Sequence, residues 1–366
     1  VSRPVVVKIG TSSLTDDEGA ILPAAVAKLC DEVAVLRSQG RPVVVVTSAA
    51  IAAGLPELGL GGAARPRDPV TLQAVSAIGQ VNLMATYKAE LARHGLVCGQ
   101  VLLTPLDFLV RTQYLHARGT LTRLLELGVV PVVNENDAIA DDEIRFGDND
   151  RLAALVAHLV EAEVLVLLTD AAGVFTADPR RDDSASLIEE IVEIDHELET
   201  VAGGAGTARG SGGMASKLAA AKIATWSGLP AVIAGAARPN VLPDAVAGVP
   251  GVGTVFRPRP ARLSARKLWI AFAVGAHGRV TVDAGARAAL EARSVSLLPA
   301  GVTAVSGEFA AGDAVELVDP AGTVFAKGLA RYGSTDLAAS AGLRTAELRP
   351  DLPAEVIHRD DLVLLP

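Results

Sequence analysis

Val5-Val6-Val7-Lys8-Ile9 runs straight into Gly10-Thr11-Ser12-Ser13, and the rest of the chain repeats that design. A strand apolar on both faces suits a parallel sheet covered by helices on either side. Residues 43–47, 97–103, 129–133 and 164–169 have the same character. Between them, residues 24–39, 69–94, 112–127 and 150–161 place apolar side chains at helical spacing. Gly40, Gly95 and Gly128 stand where helix-ending glycines belong. A further helix and strand follow at 215–227 and 231–233. The alternation predicts an α/β domain, a mostly parallel sheet sandwiched by helices. Such sheets bind ligands at the carboxyl ends of their strands.

Composition narrows the function. Of 366 residues, 50% are hydrophobic and 20% charged, too apolar for a disordered chain. Lys and Arg number 33 against 42 Asp and Glu, a net charge of −9, so broad phosphate-backbone binding is disfavoured. Two Trp, three Tyr and seven Phe leave little for base stacking. Cys30 and Cys98 are too few for a disulfide framework or a four-cysteine zinc site and read as two buried thiols. The first residues, Val1-Ser2-Arg3-Pro4, lack the basic and apolar regions of a signal peptide. No apolar run reaches the ~18 residues that span a bilayer. The expectation is a cytoplasmic protein with no membrane partner.

The pattern breaks at Phe256-Arg257-Pro258-Arg259-Pro260, whose closely spaced prolines favour an extended linker. Short strands follow at 280–282, 314–318, 323–327 and 363–365, with turns at Gly312-Asp313 and Pro320-Ala321-Gly322. The expected domains are residues 1–256, a linker at 257–276, and a small β-rich domain at 277–366.

The residues behind each strand carry the chemistry. Lys8 is costly to bury unless an anion meets it. Gly10, Thr11, Ser12 and Ser13 can offer N–H and O–H groups to phosphate. A lysine reaching out to water at a strand end is the plainer alternative. Ser48 either caps a helix or lets a helix start approach a ligand. Asn134-Glu135-Asn136-Asp137 sets four polar groups behind one apolar strand, more than a turn requires. In Phe146-Gly147-Asp148-Asn149-Asp150, Asp150 can cap the next helix, leaving Asp148 and Asn149 to orient lysines or hold an amine. Thr169 and Asp170 can face a nucleotide or form an ordinary turn.

A Gly-rich segment then leads through Ser211-Gly212-Gly213-Met214-Ala215-Ser216 to Lys217 at a helix start, which favours negative charge. It matches neither the Walker loop nor the dinucleotide fingerprint. His116 and His158 have no partner motif and read as structural or surface residues. Two lysines with anion-cradling loops suit phosphoryl transfer.

Together these motifs resemble the glutamate 5-kinases of the amino acid kinase family. The resemblance rests on Lys8-Ile9-Gly10-Thr11-Ser12, Val46-Thr47-Ser48, Asn134-Glu135-Asn136-Asp137, Gly147-Asp148-Asn149-Asp150, Thr169-Asp170 and Gly212-Gly213-Met214-Ala215-Ser216-Lys217. It runs in order from Val5 to near Phe256. The tail is similar to a PUA domain, a small β-rich barrel, notably in Ser296-Leu297-Leu298-Pro299-Ala300-Gly301 and His358-Arg359-Asp360-Asp361.

The resemblance implies the amino acid kinase fold and ATP-dependent phosphorylation of the γ-carboxylate of L-glutamate, the first step of proline biosynthesis. It implies Mg²⁺ held mainly by ATP and water with no protein metal site, feedback inhibition by proline, and a homo-oligomer, dimer or tetramer. Lys8 and Lys217 would neutralise the transferring phosphoryl group, and Asp148 would hold them in place. Ser48, Asp137 and Asn149 would bind glutamate, supported by Asn134 and Asp150. Gly10, Thr11, Thr169, Asp170 and residues 211–217 (Ser211, Gly212, Gly213, Met214, Ala215, Ser216, Lys217) would hold the nucleotide, with Lys8.

One departure stands out. The family reads Ser-Gly-Ala where this chain has Ser48-Ala49-Ala50. If residue 49 needs a positive φ, alanine costs about 1–2 kcal/mol. If substrate approaches its Cα, the methyl would reshape the glutamate pocket.

Two other readings compete. One is a different amino acid kinase activity, decided by a substrate panel. The other is an RNA-binding protein with an inactive kinase domain. Between His277 and Leu352 seven Lys/Arg face nine Asp/Glu, which argues against RNA as a partner.

Overall fold

The alternation of apolar strands and amphipathic helices folds as a helix-covered sheet. The computed structural model describes residues 2–16, 19–60, 66–108, 110–139, 149–179, 182, 184–194, 198, 213–260, 262–272, 274–293 and 295–365. The chain divides into two units, Val1–Leu263 and Ser264–Pro366.

In the first unit, β1 (Val5–Ile9) is buried throughout and lies between β2 (Val43–Val46) and β5 (Val164–Thr169), parallel to both. β3 (Cys98–Leu103) and β4 (Val130–Glu135) extend the sheet on one side. On the other side come β7 (Ala231–Gly235), β8 (Gly253–Phe256) and the short β6 (Glu190–Ile191). The strand order is β3-β4-β2-β1-β5-β7-β8-β6, and among the described pairings of this sheet only β7–β8 is antiparallel.

The two-residue period of β1 decides what each face receives. Val5, Val7 and Ile9 join an apolar core with α2 (Pro23–Ser38), α4 (Pro69–Ala92) and α8 (Val241–Ala247). Burying each such side chain contributes roughly 1.5–3 kcal/mol. Val6 and Lys8 take the opposite face, where α6 (Asn149–Leu159) packs on β1 and on α7 (Met214–Trp226). Gly40 and Gly128 close α2 and α5 (Arg111–Glu126) at φ +75° and +76°, as the helix-stop reading expects.

The loop after β2 is conformationally special. Ala49 has φ +79° and ψ +8°, a left-handed conformation that alanine adopts at a cost. Its methyl belongs to the apolar core and is 6% exposed, so it points away from any ligand at the strand edge. The short helix α3 (Ala50–Gly54) then presses backbone to backbone on α4. A Cβ on Gly54 would sit 2.1 Å from the Val75 carbonyl oxygen, and one on Gly79 would sit 1.9 Å from that of Ala50. Only glycine permits this approach. Cys30 is buried and Cys98 half-buried, and both are free thiols, so burial of the pair is only partial. Burial raises the Cys30 thiol to about 12, which keeps it inert.

The second unit begins at Ser264, earlier than the expected domain start at residue 277. Part of the expected linker is α9 (Ala265–Phe272), which buries Leu268, Trp269 and Ile270 and packs on the tail's own sheet. That sheet comprises β9 (Gly278–Val282), β10 (Val302–Gly307), β11 (Ala314–Val318), β12 (Val324–Leu329) and β13 (Leu362–Leu364), in the order β10-β9-β11-β12-β13. The two tail motifs meet: Leu297 bridges Ile357, and the Arg359 N–H donates to Ser296 Oγ at 3.1 Å.

Candidate active site

Three elements at the carboxyl edge of the first sheet converge on one carboxylate. Lys8, from β1, is 3% exposed and Asp150 is fully buried. Lys8 Nζ lies 2.6 Å from Asp150 Oδ1, and Lys217 Nζ, from the first turn of α7, lies 3.2 Å from Oδ2. Ser216 adds its hydroxyl at 2.8 Å from Oδ2. Burial by itself would raise the Asp150 carboxyl, but Lys8, then Lys217, outweighs it, and hydrogen bonds from Lys8 and Ser216 add to the effect. The carboxyl is held below its ordinary range and stays ionised. Of the two readings open for Lys8, the structure shows the buried, anion-paired one.

Asp150 therefore holds both lysines, the arrangement expected of Asp148. Helix α6 starts at Asn149, so Asp150 sits inside its first turn rather than at the cap. There the helix dipole favours its negative charge. Asp148, Ser211 and Gly212 lie outside the described residues.

Two helix starts frame the lysines. The helix α1 (Thr11–Leu14) follows Gly10, and α7 follows Gly213; neither start has a side-chain cap. Their first amides lack intrahelical acceptors and suit phosphate oxygens. Met214 is half-buried and Ala215 exposed beside them. Thr169 Oγ1 donates to Asp170 Oδ1 at 2.9 Å at the end of β5. Both border a cavity of about 320 Å³ that Ser12, Ser13 and Lys28 also line.

Beside the charged cluster lies a neutral one. Asn149 Nδ2 donates to the Thr47 carbonyl at 2.6 Å and to Asn134 Oδ1 at 2.6 Å, and lies 3.2 Å from Ser48 Oγ. Asn134 Nδ2 donates to Gln80 Oε1 at 2.8 Å. The Ser76 hydroxyl donates to Asp137 Oδ2 at 2.9 Å. Ser48, Asn134, Asp137 and Asn149 are thus drawn into one region by β2, β4, α4 and α6.

Ser76 and Gln80 were not singled out from sequence. Their signal was faint: two polar side chains four residues apart on an apolar helix, so on one face. Among the described residues, no group of three His, Cys, Asp or Glu side chains could hold a metal ion. No helix among them is long and apolar enough to cross a membrane.

A helix-covered parallel sheet with two lysines gathered on a carboxylate at its carboxyl edge fits the class of small-molecule kinases, whose transferring group needs charge neutralised. Comparisons with known proteins sharpen that class. The model of the amino acid kinase family matches residues 3–235, and that of the PUA domain matches residues 278–352. A glutamate 5-kinase of Frankia casuarinae is 49% identical over 374 residues, covering 100% of this chain and 97% of that protein. One from Ralstonia nicotianae is 45% identical over 368 residues, covering 100% and 98%. The solved carbamate kinase of Giardia lamblia, bound to AMP-PNP, shares the fold at TM-score 0.51 and 17% identity, covering 70% of this chain and 99% of that one. The chain belongs to the amino acid kinase family, in its glutamate 5-kinase group, and carries a PUA domain.

Proposed function

We infer that the protein transfers the γ-phosphoryl group of ATP to the γ-carboxylate of L-glutamate, giving glutamyl 5-phosphate for proline biosynthesis. The observation that carries this reading is the pair Lys8 and Lys217 gathered on Asp150. A glutamate carboxylate is ionised at neutral pH and is itself the nucleophile, so the transfer needs no general base. One of its oxygens bonds to the γ-phosphorus while the bond to the bridging oxygen breaks, and ADP leaves with the electron pair. What the protein must supply is positioning and charge neutralisation.

Lys8 and Lys217 draw charge from the transferring group, and Asp150 positions them. Amides after Gly10, near Thr11, and after Gly213, along Met214, Ala215 and Ser216, meet phosphate oxygens. Thr169 and Asp170 face the nucleotide. Asp137 takes the substrate ammonium, Ser48 and Asn149 line the glutamate site beside it, and Asn134 supports them by holding the Asn149 amide. The donor set fits ATP. Mg²⁺ would be held by the ATP phosphates and water, in keeping with its reluctance to dehydrate, and would supply further charge neutralisation.

The test is acyl-phosphate trapping with hydroxylamine. Hydroxamate should form only when ATP and L-glutamate are both present, with aspartate a poor substitute. No hydroxamate from glutamate overturns the reading. Proline added to the same assay tests feedback inhibition, and light scattering tests the homo-oligomer.

A further inference from the structure

Gln80 carries a donor that the fold leaves unused. The direction of each hydrogen bond leading to it is fixed by backbone groups. The Thr47 carbonyl can only accept, so the atom that Asn149 presents to it is Nδ2. Asn134 Oδ1 receives both that Asn149 amide and the Glu135 backbone N–H, the latter at 3.0 Å. Asn134 must therefore turn its Nδ2 to Gln80, whose Oε1 accepts it. Turning the Gln80 amide over would set two NH2 groups against each other. Gln80 Nε2 is left buried without an acceptor among the described residues, on a side chain only 8% exposed. A buried donor left unmade is destabilising, and native structures rarely keep one without a reason.

The place of this donor indicates its partner. Gln80 follows Ser76 by one turn on the same face of α4, and Ser76 holds Asp137. Side chains so placed start about 5–6 Å apart. An amino acid carries its ammonium and its α-carboxylate on one carbon, so their partners must be near neighbours of opposite character. We propose that Gln80 Nε2 binds the α-carboxylate of the amino-acid substrate while Asp137 takes its ammonium. This rests on the glutamate-kinase reading and extends it to a residue that sets substrate class.

The experiment compares L-glutamate with 4-aminobutyrate, which keeps the ammonium and the γ-carboxylate and lacks only the α-carboxylate. The wild-type protein should prefer L-glutamate strongly in kcat/KM. In Gln80→Leu that preference should fall by about 10–100-fold, the range for a hydrogen bond to a charged group. Gln80→Glu keeps the acceptor for Asn134 but replaces the donor by a like charge. It should raise the glutamate KM at least as much, with the ATP KM within about twofold. A purely structural role would instead change the glutamate and 4-aminobutyrate kinetics alike and leave the preference intact. Wild-type turnover of glutamate with an unchanged preference in Gln80→Leu overturns the role of Gln80 alone. A wild-type protein that neither binds nor phosphorylates glutamate overturns both this role and the kinase reading.

Discussion

The site has two halves built on different principles. Around Asp150, full charges meet in a buried cluster: Lys8, Lys217 and one carboxylate, trimmed by the Ser216 hydroxyl. Around Asn149, neutral amides, hydroxyls and a backbone carbonyl meet in a chain from Thr47 to Gln80, with the Asp137 carboxylate held beside them by the Ser76 hydroxyl. Adjacent residues of one helix start, Asn149 and Asp150, anchor the two halves. Charge at close range and low dielectric suits a group whose charge changes during reaction. Neutral hydrogen bonds of fixed direction suit a substrate that must be recognised and then released. The comparison predicts that damage to the first half falls on kcat and damage to the second on the glutamate KM.

The largest expected break is in the charged half. Lys217→Ala should lower kcat by about 10²–10³-fold, the usual loss for one electrostatic stabiliser. The rise in thermal midpoint that glutamate produces should survive. Unchanged turnover would remove Lys217 from the reaction.

Gly79→Ala probes the other half from behind. Its new methyl would strike the Ala50 carbonyl and push α3 from α4. The expected cost is about 1–3 kcal/mol in denaturant unfolding. The glutamate KM should rise while the ATP KM holds, because α3 and α4 frame only the neutral half.

A third test lies below the site on α6. Burial, and secondarily Arg262, lowers the His158 imidazole from the usual 6.5 to about 4. Between those values the unfolded chain binds a proton at this residue that the folded chain refuses. Stability is therefore full above pH 6.5 and falls as pH drops toward 4. The loss should be on the order of 2–3 kcal/mol. His158→Gln should flatten that slope in chemical denaturation between these pH values, and an unchanged slope would contradict the burial argument.

The smallest effect is expected at Ala49. Glycine would relieve about 1–2 kcal/mol of left-handed strain. It would lose about 0.8 kcal/mol of buried methyl and gain flexibility in the unfolded chain. The net change in stability should stay within about 1 kcal/mol. Since the methyl faces the core, the glutamate KM should be kept or slightly improved. A clear loss in KM and kcat would show that the loop has adapted to alanine.

Much of this was legible in the sequence, for local reasons. β1 and β5 are read to the residue because both faces are apolar, and the polar runs behind β4 and before α6 mark the ligand edge. β8 was missed because it is short, turns antiparallel and lies in a Gly-rich stretch. The helix Ala265–Phe272 was hidden by the prolines just before it. Which of Asp148 and Asp150 would hold the lysines depends on where α6 begins, and a shift of one residue turns a side chain by about 100°. Ser76 and Gln80 acquire meaning only when β4 brings Asp137 and Asn134 to their face of α4, a contact that no local pattern announces.

The division between the halves is tested most directly at their junction, by steady-state kinetics of Asp150→Asn. This variant keeps the shape and removes the charge that holds Lys8 and Lys217. The account predicts a fall in kcat of about 10³-fold or more with the glutamate KM within a few-fold of wild type. A raised glutamate KM with kcat preserved would contradict it, placing Asp150 with the substrate-binding amides instead of with the lysines.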